Sequence, residues 1–299
     1  MQIDALKSQL FEPLYTVLEN EPMSEHTSFK IGGPATLYII PATIDALCDL
    51  VKLCKKYEVP TLFFGNGSNI LFRDCGFNGA VISTSRLVNI ELVEDNTIIC
   101  EAGVKNSSLC QFALENSLSG FEFMWGIPGT VGGAAFMNAG AYGGEIKDVV
   151  EKCEFIDEDG NLQTLSVDEM DLSYRHSIFN ENDGFITRIF LKGTPNNPTV
   201  IRELMDELMN RRRTKQPLEF PSAGSTFKRP DGYFAAALIE ECGLKGVSVG
   251  GAQVSEKHSG FVINTGNATA SDVLELIEHI KQTVFMQKGV TLECEIKVI

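Results

Sequence analysis

The sequence predicts an α+β protein built from more than one domain. A run over 36–64 reads strand, helix, strand and delivers the chain to a glycine loop. Segments 89–101 and 150–192 alternate as antiparallel hairpins, and the linker Gly193-Thr-Pro-Asn-Asn-Pro198 sets off a last helix-and-strand segment. At 299 residues, 43% hydrophobic and 22% charged, the chain is long enough for two or three domains with real cores.

Taken in order, residues 2–19 read as one amphipathic helix that Pro22 ends, and 36–40 as a strand. Pro41 and Thr43 open a helix with Ile44, Leu47, Leu50, Val51 and Cys54 on one face. Residues 61–64 form a buried strand running into Gly65, and 80–83 another. The 89–101 hairpin turns at Glu94-Asp95-Asn96, and 107–117 is a helix that Gly120 stops. Two arms flank a turn at Asp159-Gly160, and 185–192 closes that segment. Past the linker, Val200, Ile201, Leu204, Met205, Leu208 and Met209 make one helix face, ending before Pro217. Ser271 caps a last helix with Val273, Leu276, Ile277, Ile280 and Val284 inside and Gly289 past its end, and 291–299 is the final strand.

A net charge of −15 argues against nucleic acid as a partner, because phosphate contacts need cationic surface. No window approaches the roughly 18 apolar residues of a membrane span, and the N-terminus lacks the pattern of a signal peptide. The eight cysteines are scattered without a C-x-x-C pair, which gives no metal site and fits a reducing, cytoplasmic setting.

Two stretches carry unusual backbone chemistry. Trp125 to Ile146 is dense in glycine and nearly uncharged, and each interior Gly costs a helix about 1 kcal/mol relative to Ala, so irregular backbone is expected there. Without a Cβ, such a run lets the main chain approach a flat or anionic ligand. The loop Gly65-Asn66-Gly67-Ser68-Asn69 follows a strand and offers N–H groups in the manner of a phosphate nest. It fails as a dinucleotide fingerprint, which needs glycine where Ile70 stands and a helix after it. Two cradles suit a long ligand with a diphosphate in its middle.

Four polar stretches are candidates for chemistry. Arg175, in Tyr174-Arg175-His176-Ser177, could hold a carboxylate in two parallel hydrogen bonds, although a solvated arginine is the commoner outcome for such a stretch. Ser225 lies in a loop of small residues near Lys228, whose ammonium would ease proton donation by a hydroxyl; an incidental turn serine is the plainer reading. In the final strand Glu293 and Glu295 share the polar face, most often simply the wet side. Arg211-Arg-Arg-Thr-Lys215 either complements a helix C-terminus or clamps a substrate diphosphate.

Together these stretches resemble a known family. HTSFKIGGPA, GNGSNIL, GIPGTVGGAAFMNAGAYGGE, YRHSIF, RRRTKQP, PSAGSTFKRP, GGAQVSEKHSGFVIN and LECEI occur in order from His26 to the C-terminus, and they resemble the UDP-N-acetylenolpyruvoylglucosamine reductases, flavoenzymes of peptidoglycan precursor synthesis. The resemblance implies a two-part FAD-binding domain of the vanillyl-alcohol-oxidase type over 1–85 and 86–197, followed by an α+β substrate-binding domain over 198–299. It implies non-covalent FAD held by Gly33, by Gly65 to Ile70, by Pro128, Gly129, Thr130, Gly132, Gly133 and Ala134, and by Gly143. It assigns the substrate to Tyr142, Arg213, Lys215, Lys228 and His258.

The implied reaction has two halves: NADPH reduces FAD, then the enolpyruvyl ether of the UDP-sugar takes the hydride. In that scheme Arg175 and Glu295 bind and polarise the carboxylate, and Ser225 protonates the α-carbon. The resemblance thereby reverses the plainer reading at all three. Residues 176–187 are short and lack the tyrosine-bearing insertion of longer relatives, so the chain resembles the compact subtype, expected as a monomer. One rival is an oxidase on the same scaffold; neither Gly65 to Leu71 nor Gly126 to Gly133 holds a His or Cys for covalent flavin. The other is a nucleotide-binding regulator, which would leave Ser225 and Glu295 without a shared task.

Overall fold

The structure is a computed structural model and describes residues 2–182 and 184–299. It divides into two compact units. One takes the chain up to Glu19, Leu37–Asn66 and Gly79–Arg211; the other takes Asn20–Thr36, Gly67–Asn78 and Arg212–Ile299. These units cut across the boundaries at 85 and 197. The linker at 193–198 does not separate them, because the helix that follows runs unbroken over Pro198–Lys215 and its Ile201 and Met205 sit in the core of the first unit.

The first unit holds two sheets. One orders strands Tyr15–Pro22, Pro34–Pro41, Phe77–Ser83 and Thr61–Phe64, the last two parallel with Thr61 opposite Ala80. The other is antiparallel, in the order Leu162–Ser166, Val150–Ile156, Phe185–Lys192, Thr97–Glu101, Ile90–Leu92. Helix α1 (Gln2–Lys7) buries Leu6, and α2 (Ile44–Lys56) is capped by the Thr43 hydroxyl and buries Ile44, Ala46, Leu47, Leu50, Val51 and Cys54. Helix α3 spans Asn106–Glu115, α4 Val131–Phe136 and α5 Pro198–Lys215. Each sheet has its own apolar cluster, one around Leu37, Leu47 and Ile82, the other around Ile98, Leu109, Met124 and Ile189.

The second unit packs α6 (Ala235–Glu241) and α7 (Ala270–Lys288) with a three-stranded antiparallel sheet, Ser248–Val249, Ala252–Val254 and Val262–Asn264. Its core gathers Leu238, Ile239, Leu276, Ile280 and Leu292 with Phe29, Ile31 and Leu71. The C-terminal strand Lys297–Val298 runs parallel to Ile70–Leu71.

Several expectations are corrected. Residues 2–19 are not one helix: α1 stops at Lys7, Pro13 lacks the N–H a continuing helix needs, and Tyr15–Pro22 is a strand whose Tyr15 hydroxyl donates to the Ala46 carbonyl at 2.9 Å. Thr61–Phe64 is only partly buried. Val200 and Leu204 are exposed rather than part of the apolar face of α5. Helix α7 is capped by Thr269, whose side chain and Asp272 form a capping box; Ser271 lies inside the helix and its hydroxyl donates to Asp74 at 2.7 Å. Within the glycine-dense run, residues 131–136 do form a helical turn and a half. Gly132 is required there because a Cβ would stand 2.6 Å from the Ala102 Cβ.

Candidate active site

The expected site residues divide between the units. In the first, the glycine-dense run is strapped to 102–106 by backbone pairs. The Gly132 amide donates to Ala102 at 3.0 Å, the Val131 amide to Val104 at 2.8 Å, and the Asn106 amide to Gly129 at 3.1 Å. Thr130 caps α4 by accepting from the Gly133 amide. Gly65 packs against that same threonine, since a Cβ on Gly65 would lie 2.7 Å from the Thr130 hydroxyl. The Gly65 and Pro128–Ala134 cradles, both implied to hold FAD, therefore meet through Thr130. Pro128, Gly133 and Asn66 are exposed, and Thr130, Gly132 and Ala134 are buried.

Tyr142 and Arg175 each sit at the tip of a tight turn. Gly140–Ala141 pairs antiparallel with Gly144–Glu145, which leaves Tyr142 and Gly143 as the connecting pair, with φ of 56° and 94°. Nothing lies within 4 Å of a Cβ added at Gly143, so glycine serves conformation there rather than packing. Ser173 and His176 exchange backbone hydrogen bonds at 3.2 and 3.1 Å around Tyr174 and Arg175. Arg175 has φ 58°, and its guanidinium lies 5.0 Å from the Tyr174 ring centre. Left-handed backbone is uncommon outside glycine and gathers at functional sites. His176 pairs with Asp171 at 3.2 Å, a structural partner.

In the second unit the Ser225 loop is held on both sides. Thr226 donates its amide to Gly260 at 2.8 Å and accepts at its hydroxyl from the Val262 amide at 3.0 Å. On the other side Phe227 bridges Cys294, the Lys228 amide donates to Glu293, and the Glu295 amide donates to the Thr226 carbonyl at 2.9 Å. Glu295 thus stands opposite the residue after Ser225. Its own carbonyl accepts from the Asn69 side chain at 3.1 Å, and the Asn69 carbonyl accepts from the Lys297 amide, so the glycine loop and the glutamate share one backbone ladder. Gly67 has φ 60°, and Gly33 donates to the Arg73 carbonyl where a Cβ would be 2.2 Å from the Asp74 carbonyl oxygen.

One expectation about Ser225 is not met. Its hydroxyl donates to the Phe227 carbonyl at 3.1 Å, and the Lys228 ammonium pairs with Glu293 at 3.6 Å rather than with the serine. The cationic knot also separates: Arg211 pairs with Glu207, Arg212 is buried and donates to Gln216, and Arg213 and Lys215 remain exposed. Burial holds the His258 imidazole below its ordinary range, with Lys245 and Lys215 adding to the effect; its Nδ1 accepts from the Gly260 amide at 3.2 Å. Among the described residues no group of three or more His, Cys, Asp or Glu could hold a metal, and no helix is long and apolar enough to cross a membrane.

Sequence reasoning missed Asn106 and Asn138. Asn106 is 1% exposed and donates to the Ile127 carbonyl at 3.3 Å, while its Oδ1 has no partner among the described residues. Asn138, inside the glycine-dense run, is fully buried at φ 41°. Its one available signal is that asparagine tolerates left-handed backbone beside glycine-rich turns.

Comparison with known proteins bears on this arrangement. Residues 35–166 match a family model described as an FAD binding domain, and residues 216–299 match that of the UDP-N-acetylenolpyruvoylglucosamine reductase C-terminal domain. The protein is an FAD-dependent oxidoreductase by class, α+β, with an FAD-binding domain and a reductase C-terminal domain following it. It is 51% identical over 298 residues, 99% of this chain and 97% of the relative, to the UDP-N-acetylenolpyruvoylglucosamine reductase of Caldanaerobacter subterraneus subsp. tengcongensis. To that of Syntrophomonas wolfei it is 49% identical, over 98% of each chain. The solved structure of the Thermus caldophilus reductase superimposes with a TM-score of 0.81 at 34% identity, covering 95% of this chain and 98% of that one. The chain belongs to the UDP-N-acetylenolpyruvoylglucosamine reductase family. A variant of berberine bridge enzyme, at TM-score 0.50 and 15% identity over 66% of this chain, shares fold alone.

Proposed function

We propose that this protein reduces UDP-N-acetylglucosamine enolpyruvate to UDP-N-acetylmuramate with NADPH, in the cytoplasm, as a monomer in peptidoglycan precursor synthesis. The observation that carries the residue-level reading is the Thr226–Glu295 pairing, which holds the proton-donor candidate and the carboxyl candidate on one ladder. Family membership at about half identity over nearly the whole chain supports the substrate.

The residues fit FAD. Gly65 and Gly129 stand in two loops joined through Thr130, with Gly132 and Gly133 in the first turn of α4, and the buried Asn106 Oδ1 offers an acceptor beside Gly129. Neither loop holds a His or Cys, which supports non-covalent binding. When bound, FAD relays the hydride from NADPH to the enolpyruvyl methylene carbon.

The chain supplies the rest. Hydride addition builds negative charge on the substrate carboxylate as an enolate, and Arg175 meets that carboxylate with its planar fork. Glu295 binds and polarises the same group. Ser225 gives its hydroxyl proton to the α-carbon. Fixed donors of this kind are worth on the order of 10²–10³ in rate each. Arg213 and Lys215, exposed in the last turn of α5, hold the diphosphate, with Tyr142, Lys228 and His258 along the remainder of the nucleotide sugar. Mass spectrometry of the product tests the reading: a gain of two hydrogens on the nucleotide sugar supports it, and recovery of unchanged substrate while NADPH is consumed contradicts it.

A further inference from the structure

The two turns that present Tyr142 and Arg175 are far apart in sequence, and short turns with left-handed non-glycine residues do not hold themselves. One buried side chain serves both. The Asn138 amide nitrogen donates to the Glu145 carboxylate at 2.7 Å and to the Ser173 carbonyl at 3.0 Å, and its Oδ1 accepts from the Lys147 amide at 3.0 Å. Glu145 closes the Tyr142 hairpin, and Ser173 opens the Arg175 turn. Asn138, Tyr142 and Arg175 are all left-handed, with φ of 41°, 56° and 58°. Ser177 secures the far end of the same turn by donating to the Phe136 carbonyl at 2.7 Å.

We propose that Asn138 is a positioning residue for substrate: its buried amide sets the Arg175 turn and the Tyr142 hairpin in one fixed relation. The side chain makes three hydrogen bonds that use both donors, and one of these goes to a carboxylate. Asparagine is suited to the position because it tolerates left-handed backbone and supplies both donors and an acceptor. This inference rests on the proposed function, in which Arg175 meets the substrate carboxylate.

The test uses the full-length holoenzyme with Asn138→Gly, which keeps the left-handed backbone without strain and removes only the amide. Product affinity, measured calorimetrically with UDP-N-acetylmuramate, is expected to weaken about tenfold or more, as expected for losing a buried, charge-assisted hydrogen bond. Reoxidation of the reduced enzyme by the enolpyruvyl nucleotide slows correspondingly, while flavin reduction by NADPH falls clearly less, since the amide bonds to neither the Gly65 loop nor residues 128–134 and meets the flavin side only through the Gly143 hairpin. Asn138→Asp is the second variant: it keeps the shape but sets an acceptor against the Glu145 carboxylate, and the same asymmetry is expected. Equal loss in both half-reactions, unchanged product affinity, or failure of both variants to retain FAD overturns the positioning role. If the unsubstituted enzyme cannot be reoxidised by the nucleotide, the functional reading fails instead, and the positioning role falls with it.

Discussion

The Glu295 amide donates to the Thr226 carbonyl at 2.9 Å, which sets the glutamate opposite the residue that follows Ser225. From that register comes a separation of tasks between the two halves of the reaction. Ser225→Ala should leave reduction by NADPH intact and slow reoxidation by the nucleotide about 10²–10⁴-fold, the range of a lost proton donor. Glu295→Ala, which removes the side chain from that site, should impair mainly the same half, on the order of 10²–10³-fold. Rapid-mixing traces of the flavin absorbance read each half separately, and equal losses in both would remove the proton-donor role.

Lys215→Ala should raise KM for the nucleotide about tenfold and leave kcat and the flavin spectrum close to unchanged. The side chain is exposed at the C-terminal end of α5 and lies in none of the turns that carry Arg175 or Ser225. An exposed cation on a diphosphate contributes uniform binding, which appears in KM rather than in the chemical step. A fall in kcat with KM unchanged would place Lys215 elsewhere.

Two adjacent glycines should respond in opposite ways. Gly132→Ala puts a methyl 2.6 Å from the Ala102 Cβ and 2.9 Å from its carbonyl oxygen, and overpacking of that kind costs about 1–3 kcal/mol. At exposed Gly133 the added carbon meets only the Thr130 hydroxyl at 3.6 Å, an ordinary contact. Gly133→Ala should therefore keep the denaturation midpoint while weakening FAD affinity, if glycine is there for the ligand. Denaturation and FAD titration of the two variants, side by side, decide this.

His258 makes stability depend on pH in a defined direction. Burial, with Lys245 and Lys215 nearby, lowers its folded value, so below the ordinary imidazole value of about 6.5 the unfolded chain binds more protons than the native one. Its contribution is complete above that value and is lost as pH falls through the lowered one. Melting temperatures between about pH 7 and 5 should fall less steeply for His258→Gln than for the parent. A parallel pair of curves would show that the imidazole titrates normally.

The glycine loops were legible in the sequence because density in glycine is a local property, and Gly143 has a purely conformational reason; the packing that requires Gly65 and Gly132 comes from the distant Thr130 and Ala102. The apolar faces of α2 and α7 were legible for the same reason, through spacing. What was not legible depends on distant partners. Asn138 reaches Ser173 across 35 positions, and Lys228 answers to Glu293 on another segment. The N-terminal strand is not legible because the amphipathic spacing over 2–19 suits a helix, and what makes Tyr15–Pro22 a strand is its pairing with the distant Pro34–Pro41. The interleaving of 20–36 and 67–78 into the second unit leaves no mark in composition at all.

The most direct measurement is an anaerobic absorbance titration of the purified protein, first with NADPH and then with UDP-N-acetylglucosamine enolpyruvate. The account predicts a flavin band that NADPH bleaches and the nucleotide restores, with FAD released on denaturation. A flavin that only oxygen restores would contradict it and make the protein an oxidase on the same fold.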